Sequence, residues 1–245
     1  MMTARRAAGY FFGGLLGLFF LYMGFLVVKN LIQLAHGTPP GQQQADVFDA
    51  SVEKAFRAAT STHVDMKELM SGSHPSLGKK TAPIQIVEFV DFHCPYCKRI
   101  APILRKSVLT RSDVYLVIRD APLAELHPLA EKASAAAECV WRATPSAYWN
   151  MYDHLFASDP VSDDDSLREL ARASGTNLAT YDACIQSSAS LASIQQSLDL
   201  AVRSGLQGTP TFFVNGVYIQ GAPNAEQWDA ILDRALGSSL AKPAK

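Results

Sequence analysis

Apolar residues follow three distinct patterns along this 245-residue chain. Between positions 7 and 28 they run without a charged residue, and 10–28 is nearly all Phe, Leu, Gly and Val. Twenty helical residues rise about 30 Å, the thickness of a bilayer's hydrocarbon core, so 9–28 reads as a transmembrane helix. At 84–92 and 114–119 the runs are short and nearly unbroken, as in strands covered on both faces. From 126 to 205 the spacing is helical throughout, over 129–140, 148–156, 163–174, 181–186 and 191–204. Two runs of four, 211–214 and 217–220, are joined by Asn215-Gly216, a two-residue hairpin signal. A helix is expected over 95–110, kinked by Pro102, and another over 225–236 with Trp228, Ile231, Leu232 and Leu236 as its apolar face. Ahead of the strands, 29–45 reads as a Gly-, Pro- and Gln-containing linker, 46–59 and 64–70 as short helices, and 71–82 as a loop. The expectation is an α/β domain over 83–245 with a helical subdomain inserted at about 126–205. A helical extension (46–82), the linker, the anchor and a short N-terminal tail (1–8) precede it.

The chemistry is concentrated where the first strand meets its helix, at Cys94-Pro95-Tyr96-Cys97. A Cys-x-x-Cys that ends a strand and opens a helix reads as the redox centre of a thioredoxin-like fold. The unpaired N–H groups and macrodipole at a helix N-terminus favour a thiolate at Cys94. Cys97 lies about one turn on, placed to attack a mixed disulfide formed at Cys94. Pro95 suits the first turn because its missing N–H has no partner to lose there. The rival reading, half of a structural zinc site, lacks the second pair of ligands, since Cys139 and Cys184 stand alone. No metal or other cofactor is expected; the Cys94–Cys97 disulfide is itself the redox group. His93 is read as active-site support, its ring either charged beside the thiolate or turned to solvent. His127 is read as a helix-start residue and His154 as packing or surface.

Arg5 and Arg6 precede the anchor, which keeps the N-terminus cytoplasmic and sends the remainder across the membrane. A cleaved signal peptide is the alternative, although its apolar region is normally about 7–15 residues. Either way the folded part is exported, to the periplasm or an equivalent extracytoplasmic space, with the anchor in the inner membrane as a single pass. In an oxidising compartment four cysteines allow two disulfides. Proximity pairs Cys94 with Cys97, which leaves Cys139 with Cys184 as a structural disulfide or as two buried thiols. The formal charge of −1 lacks the basic footprint of a nucleic-acid binder.

In order and combination, several stretches resemble the bacterial DsbA-like thiol–disulfide oxidoreductases. They are the run 87–97 through the cysteine pair, His127-Pro128-Leu129-Ala130, Ala135-Ala136-Ala137-Glu138-Cys139, the run 149–156, and Gly208-Thr209-Pro210-Thr211-Phe212-Phe213-Val214-Asn215-Gly216. The resemblance covers 83 to the C-terminus and leaves 1–70 outside. It implies a thioredoxin-like fold with an inserted helical subdomain. Pro210 would be a cis-proline facing the disulfide, with Thr209 beside it as substrate-binding neighbour. Glu88 would be a buried acid beneath the disulfide, accepting the proton of the resolving thiol; an acid paired with a lysine or a loop N–H is the alternative.

The expected activity is thiol–disulfide exchange with exported cysteine-containing proteins, most readily as a disulfide-forming oxidase recycled by a membrane redox partner. Two other readings stand beside it. A disulfide isomerase or reductase would dimerise through 46–70 and the Gly13/Gly17 pair. A thioredoxin-fold chaperone or adaptor would bind one envelope protein without needing its thiols. Pro-Tyr between the cysteines does not decide among them, because relatives span about −270 to −120 mV.

Overall fold

The computed structural model describes residues 22–29, 50, 52, 54, 65–157, 159–161 and 163–240. The chain divides into two compact units, Met1–Phe48 and Asp49–Lys245. Of the first, residues 22–29 are described, as helix. The rest of the expected anchor and the linker beyond residue 29 lie outside the described residues. The same holds for the helix over 46–59, apart from helical positions 50, 52 and 54. Among the described residues no helix is long and apolar enough to cross a membrane.

The second unit is built on a five-stranded sheet of order β1-β3-β2-β4-β5. Its strands are β1 (Ser76–Gly78), β2 (Ile84–Val90), β3 (Val114–Asp120), β4 (Thr211–Val214) and β5 (Val217–Gln220). β2 and β3 are parallel, joined by α2 (Pro95–Thr110), and β1, β4 and β5 pair antiparallel with their neighbours. The unbroken apolar runs of β2 and β3 follow from this placement, since both strands are buried on both faces. Asn215 and Gly216 both have positive φ (50° and 87°), as a two-residue hairpin matching the strand twist requires.

β1 was not expected. The polar stretch 71–82 lacks a strand pattern, yet three of its residues pair with Val117, Leu116 and Tyr115 at the edge of the sheet. Gly78 makes this approach possible: its φ is +92°, and a Cβ there would run into the Val114 carbonyl oxygen. Arg119 draws the preceding segment in as well. Its guanidinium donates to the carbonyls of Leu69 (2.9 Å) and Ser71 (2.7 Å), at the end of the short helix α1 (Met66–Leu69).

One face of the sheet carries Val87, Phe89, Val117 and Phe213, packed against Leu69 and against Leu200 and Ala201 of α7 (Ala189–Arg203). The opposite face carries Glu88 and Phe212, which are register partners, and receives α2 and α8 (Ala225–Leu240). Trp228 of α8 packs against Phe212, ring centroids 4.8 Å apart, and donates its indole N–H to Ser107 of α2. On α8 the half-buried Leu236 cedes its expected core place to Ala235. α2 continues through Pro102, which is exposed, because Ile100, Ala101 and Leu104 hold the helix to the sheet from its other side.

The expected helical insertion consists of α3 (Ala130–Ala143), a 3-10 turn (Pro145–Ala147), α4 (Tyr148–Ala157), α5 (Asp164–Ala173), α6 (Leu178–Ile185) and α7. Asp163 and Asn177 cap α5 and α6 by accepting from the backbone N–H of Ser166 and Thr180. Cys139 of α3 and Cys184 of α6 are joined by a disulfide across 45 positions. Closing a loop of that length stabilises the fold by about 4 kcal/mol through the entropy of the unfolded chain. Replacing both cysteines by alanine should therefore lower unfolding free energy by about that amount, read by extrapolating denaturant unfolding to water, with a steeper slope because the uncrosslinked chain unfolds to a more expanded state.

Candidate active site

β2 ends at Val90, and Asp91 turns the chain so that Cys94 becomes the N-cap of α2. No side chain caps this helix, and Pro95 occupies its first turn. The free N–H groups of the turn are thus available to a negative charge at position 94. Cys94 is 4% exposed and Cys97 is fully buried, and both are free thiols here. The Cys94 thiol donates to the Thr209 carbonyl at 3.2 Å, and the Thr209–Pro210 peptide is cis. Residues 115 positions apart thus meet at one sulfur.

The two thiols are driven apart in acidity. Cys94 is held down to about 5, first by the hydrogen bond from Cys97, then by Thr209 and the backbone N–H groups of Cys97 and Tyr96, against the opposing effect of burial. Burial pushes Cys97 well above the ordinary thiol range, and its bond to Cys94 and the nearby Glu88 carboxylate add to this. The site thus favours ionisation at Cys94 and holds the proton on Cys97. Tyr96 between them is 55% exposed, with the Arg99 guanidinium over its ring at 5.1 Å.

Glu88 is fully buried, with its Oε2 accepting from the Tyr152 hydroxyl at 3.3 Å and its Oε1 without a hydrogen-bond partner among the described residues. Burial raises its carboxyl to about 8, and the Tyr152 bond opposes this only in part. Tyrosine, rather than the lysine or loop N–H considered above, is therefore its partner. The His93 ring meets the Val161 carbonyl, 3.2 Å from Nε2.

Two residues stand out that pattern reading passed over. Asp91, fully buried, accepts from the backbone N–H of His93 (2.7 Å) and Leu123 (2.9 Å) and pairs with His127 Nδ1 at 2.8 Å. It binds the turn before Cys94 to the loop after β3, so His127 is more than a helix-start residue. Tyr152 was hidden among the aromatics of α4, where Phe92, Phe156, Tyr148 and Trp149 surround it. Its only sequence signal is the four-residue spacing from Tyr148 that puts both on one helix face.

A buried thiol paired with an activated one at a helix N-terminus, facing a proline loop across a thioredoxin-like sheet, defines a thiol–disulfide oxidoreductase. Comparison with known proteins agrees. Residues 70–234 match the family described as Thioredoxin, and the chain belongs to that family, in its DsbA-like branch. It is 26% identical to Disulfide bond formation protein D of Bacillus subtilis over 174 residues, covering 66% of this chain and 77% of that one. It is 35% identical to Na(+)/H(+) antiporter NhaA 3 of Salinispora tropica over 167 residues, 68% of this chain. That stretch spans only 25% of the antiporter's length. Among solved structures, a periplasmic thioredoxin-like protein from Salmonella enterica serovar Typhimurium superposes with a TM-score of 0.63 at 26% identity, covering 72% of this chain and 99% of that one.

The acidity of Cys94 links redox state to stability. Its folded pKa lies below the unfolded value of 9.0, so ionisation stabilises the reduced fold above about pH 5, and the gain is complete near 9. Glu88 has the opposite sign, a folded value raised from 4.5 to about 8, but it is present in both redox forms. The stability of the reduced form relative to the oxidised form should therefore rise from about pH 5 to about pH 9. Denaturant unfolding of each form across that range checks this, together with a thiolate absorbance titration of the reduced protein with its midpoint near 5.

Proposed function

We propose that this chain is a membrane-tethered, envelope-facing thiol–disulfide oxidoreductase that forms disulfides in exported proteins. The observation that carries the direction is the place of Cys94 at the uncapped N-terminus of α2, which favours its thiolate and lowers its pKa to about 5. Whatever stabilises the reduced centre makes its disulfide a stronger oxidant, and thiol values of about 7 in thioredoxin and about 3.5 in DsbA bracket this one. The similarity to a protein named for disulfide bond formation supports the same direction. The uncharged run at 7–28 behind Arg5 and Arg6, and the similarity to a periplasmic protein, support the tether and the compartment.

In this reading a substrate thiolate attacks Cys94 Sγ of the Cys94–Cys97 disulfide and Cys97 leaves. Cys97 has a high proton affinity, and Glu88, largely protonated at neutral pH, is the adjacent donor. A second substrate thiolate then displaces Cys94, which departs as the stabilised thiolate, and the substrate carries away a disulfide. The substrate chain binds along Thr209-Pro210, the loop that already contacts the Cys94 sulfur. A membrane redox protein then removes two electrons from the dithiol to restore the disulfide.

Equilibration with glutathione buffers tests the direction. A potential towards about −120 mV is expected, and one near about −270 mV would exclude the oxidase role. Cys94→Ser should abolish oxidation of a dithiol peptide, whereas Cys97→Ser should accumulate mixed disulfides at Cys94; retention of all biological activity by Cys94→Ser would instead favour an adaptor. In the reverse direction Glu88 accepts the Cys97 proton. Resolution of a mixed disulfide should therefore accelerate as pH rises through about 8 in the native protein. Glu88→Gln should flatten that profile and slow the step on the order of 100-fold, the scale of general-base assistance.

A further inference from the structure

Four buried oxygens lack a hydrogen-bond partner among the described residues in the region behind Glu88: Glu88 Oε1, Asp120 Oδ1, Ser134 Oγ and Tyr148 Oη. Buried polar groups are overwhelmingly satisfied in folded proteins, so a concentration of exceptions calls for a shared explanation. The topology brings them together. β2 and β3 are in register with Glu88 opposite Ile118 and Val90 opposite Asp120, so Glu88 and Asp120 project from the same face as diagonal neighbours. The helical insertion covers that face with two pairs at four-residue spacing, Ser134 and Glu138 on α3, and Tyr148 and Tyr152 on α4. The two tyrosine rings lie 6.3 Å apart, and Tyr152 already donates to Glu88. Glu138, 2% exposed, is held by the Arg142 guanidinium at 2.7 Å.

We propose that the insertion completes a buried proton-exchange network in which Asp120 is a second proton-holding carboxyl, joined to Glu88 through the Tyr148 and Tyr152 hydroxyls and bridging water. The charges around the cluster agree with that arrangement. Burial, reinforced by the negative charge of Glu138 and opposed by Ser134 and Arg119, lifts Asp120 well above the usual carboxylate range. The Arg142 guanidinium pairs with Glu138 on the outer side. Burial and the surrounding acids push both tyrosines up, so they stay hydroxyl donors. A hydroxyl accepts one proton while donating another, which lets a proton move along the chain without a free charge crossing the core. Four polar oxygens in one region also supply the two to four partners that an internal water needs.

The inference rests on the reading of Glu88 as the proton-exchanging group of the site. When Cys97 resolves a mixed disulfide, its sulfur bonds to Cys94 Sγ, the Cys94–substrate bond breaks, and the substrate leaves as a thiolate. The Cys97 proton passes to an ionised Glu88, and the network rearranges behind it, with the Asp120 carboxyl donating its hydrogen bond into the hydroxyl chain. Asp120 is thus a positioning residue for the proton and touches neither sulfur.

Redox-triggered infrared difference spectroscopy on the full-length protein, carrying carboxyl-labelled 13C-aspartate, tests this. The expected result is two protonated-carboxyl signals that change between the dithiol and disulfide forms. One should move with the aspartate label, vanish in Asp120→Asn and shift in Tyr148→Phe; the other should vanish in Glu88→Gln. Tyr148→Phe should also move the Glu88-dependent pH midpoint of resolution upwards while leaving the Cys94 midpoint near 5. Should Asp120→Asn fail to fold, the label and Tyr148→Phe decide alone. A label-sensitive signal unmoved by Tyr148→Phe, or one that survives in Asp120→Asn, overturns the proposal. A single label-insensitive signal also overturns it and leaves the Glu88 reading intact. Absence of any carboxyl signal, with Glu88→Gln resolving at the native rate, removes both.

Discussion

β2 is hydrogen-bonded on both sides, to β3 and β4, and covered on both faces. Any carboxyl on such a strand leaves water entirely, and its ionised form loses solvation that one tyrosine hydroxyl does not replace. That double burial is why Glu88 holds a proton near neutral pH. The same strand, by ending against α2, presents Cys94 to an uncapped helix N-terminus, where a negative charge is favoured. One element therefore sets two opposite electrostatic conditions six residues apart. Cys97 completes the asymmetry by lying one turn deeper, where burial keeps its proton on.

The surroundings of β2 give this pair its shape. Asp91 is spent on backbone N–H groups and His127, and so locks the turn from which Cys94 emerges to the loop after β3. The Thr209 carbonyl arrives from the far end of the chain, placed by β4 pairing with β2. The insertion between β3 and β4 is tied by the Cys139–Cys184 disulfide and roofs the face on which Glu88 and Asp120 stand. Its aromatic residues shield the carboxyl from bulk solvent, and the Tyr152 hydroxyl is its one hydrogen-bond partner among the described residues.

Legibility in the sequence followed physical strength of signal. Both central strands, α2 and the Asn215-Gly216 hairpin were readable because period, length and turn chemistry agree there. β1 was not, because three residues on a sheet edge have too little apolar pattern, and a glycine that fits against a carbonyl looks like any loop glycine. The role of Arg119 was equally invisible. A charged residue inside a strand gives no hint that its partners are carbonyls 48 and 50 positions earlier.

The chain by itself determined the redox pair, its place at the opening of a helix, the order of elements and the buried character of β2, since each depends on residues adjacent in sequence. Only the tertiary structure decided that Glu88 faces a tyrosine rather than a lysine, that Asp91 engages His127, and that Thr209 touches Cys94. It also brought Asp120 onto the face of Glu88. Those relations depend on strand register and on residues contributed from 36 to 115 positions away, and electrostatic energies inside a protein are set by such distances and by burial, neither of which a linear pattern encodes.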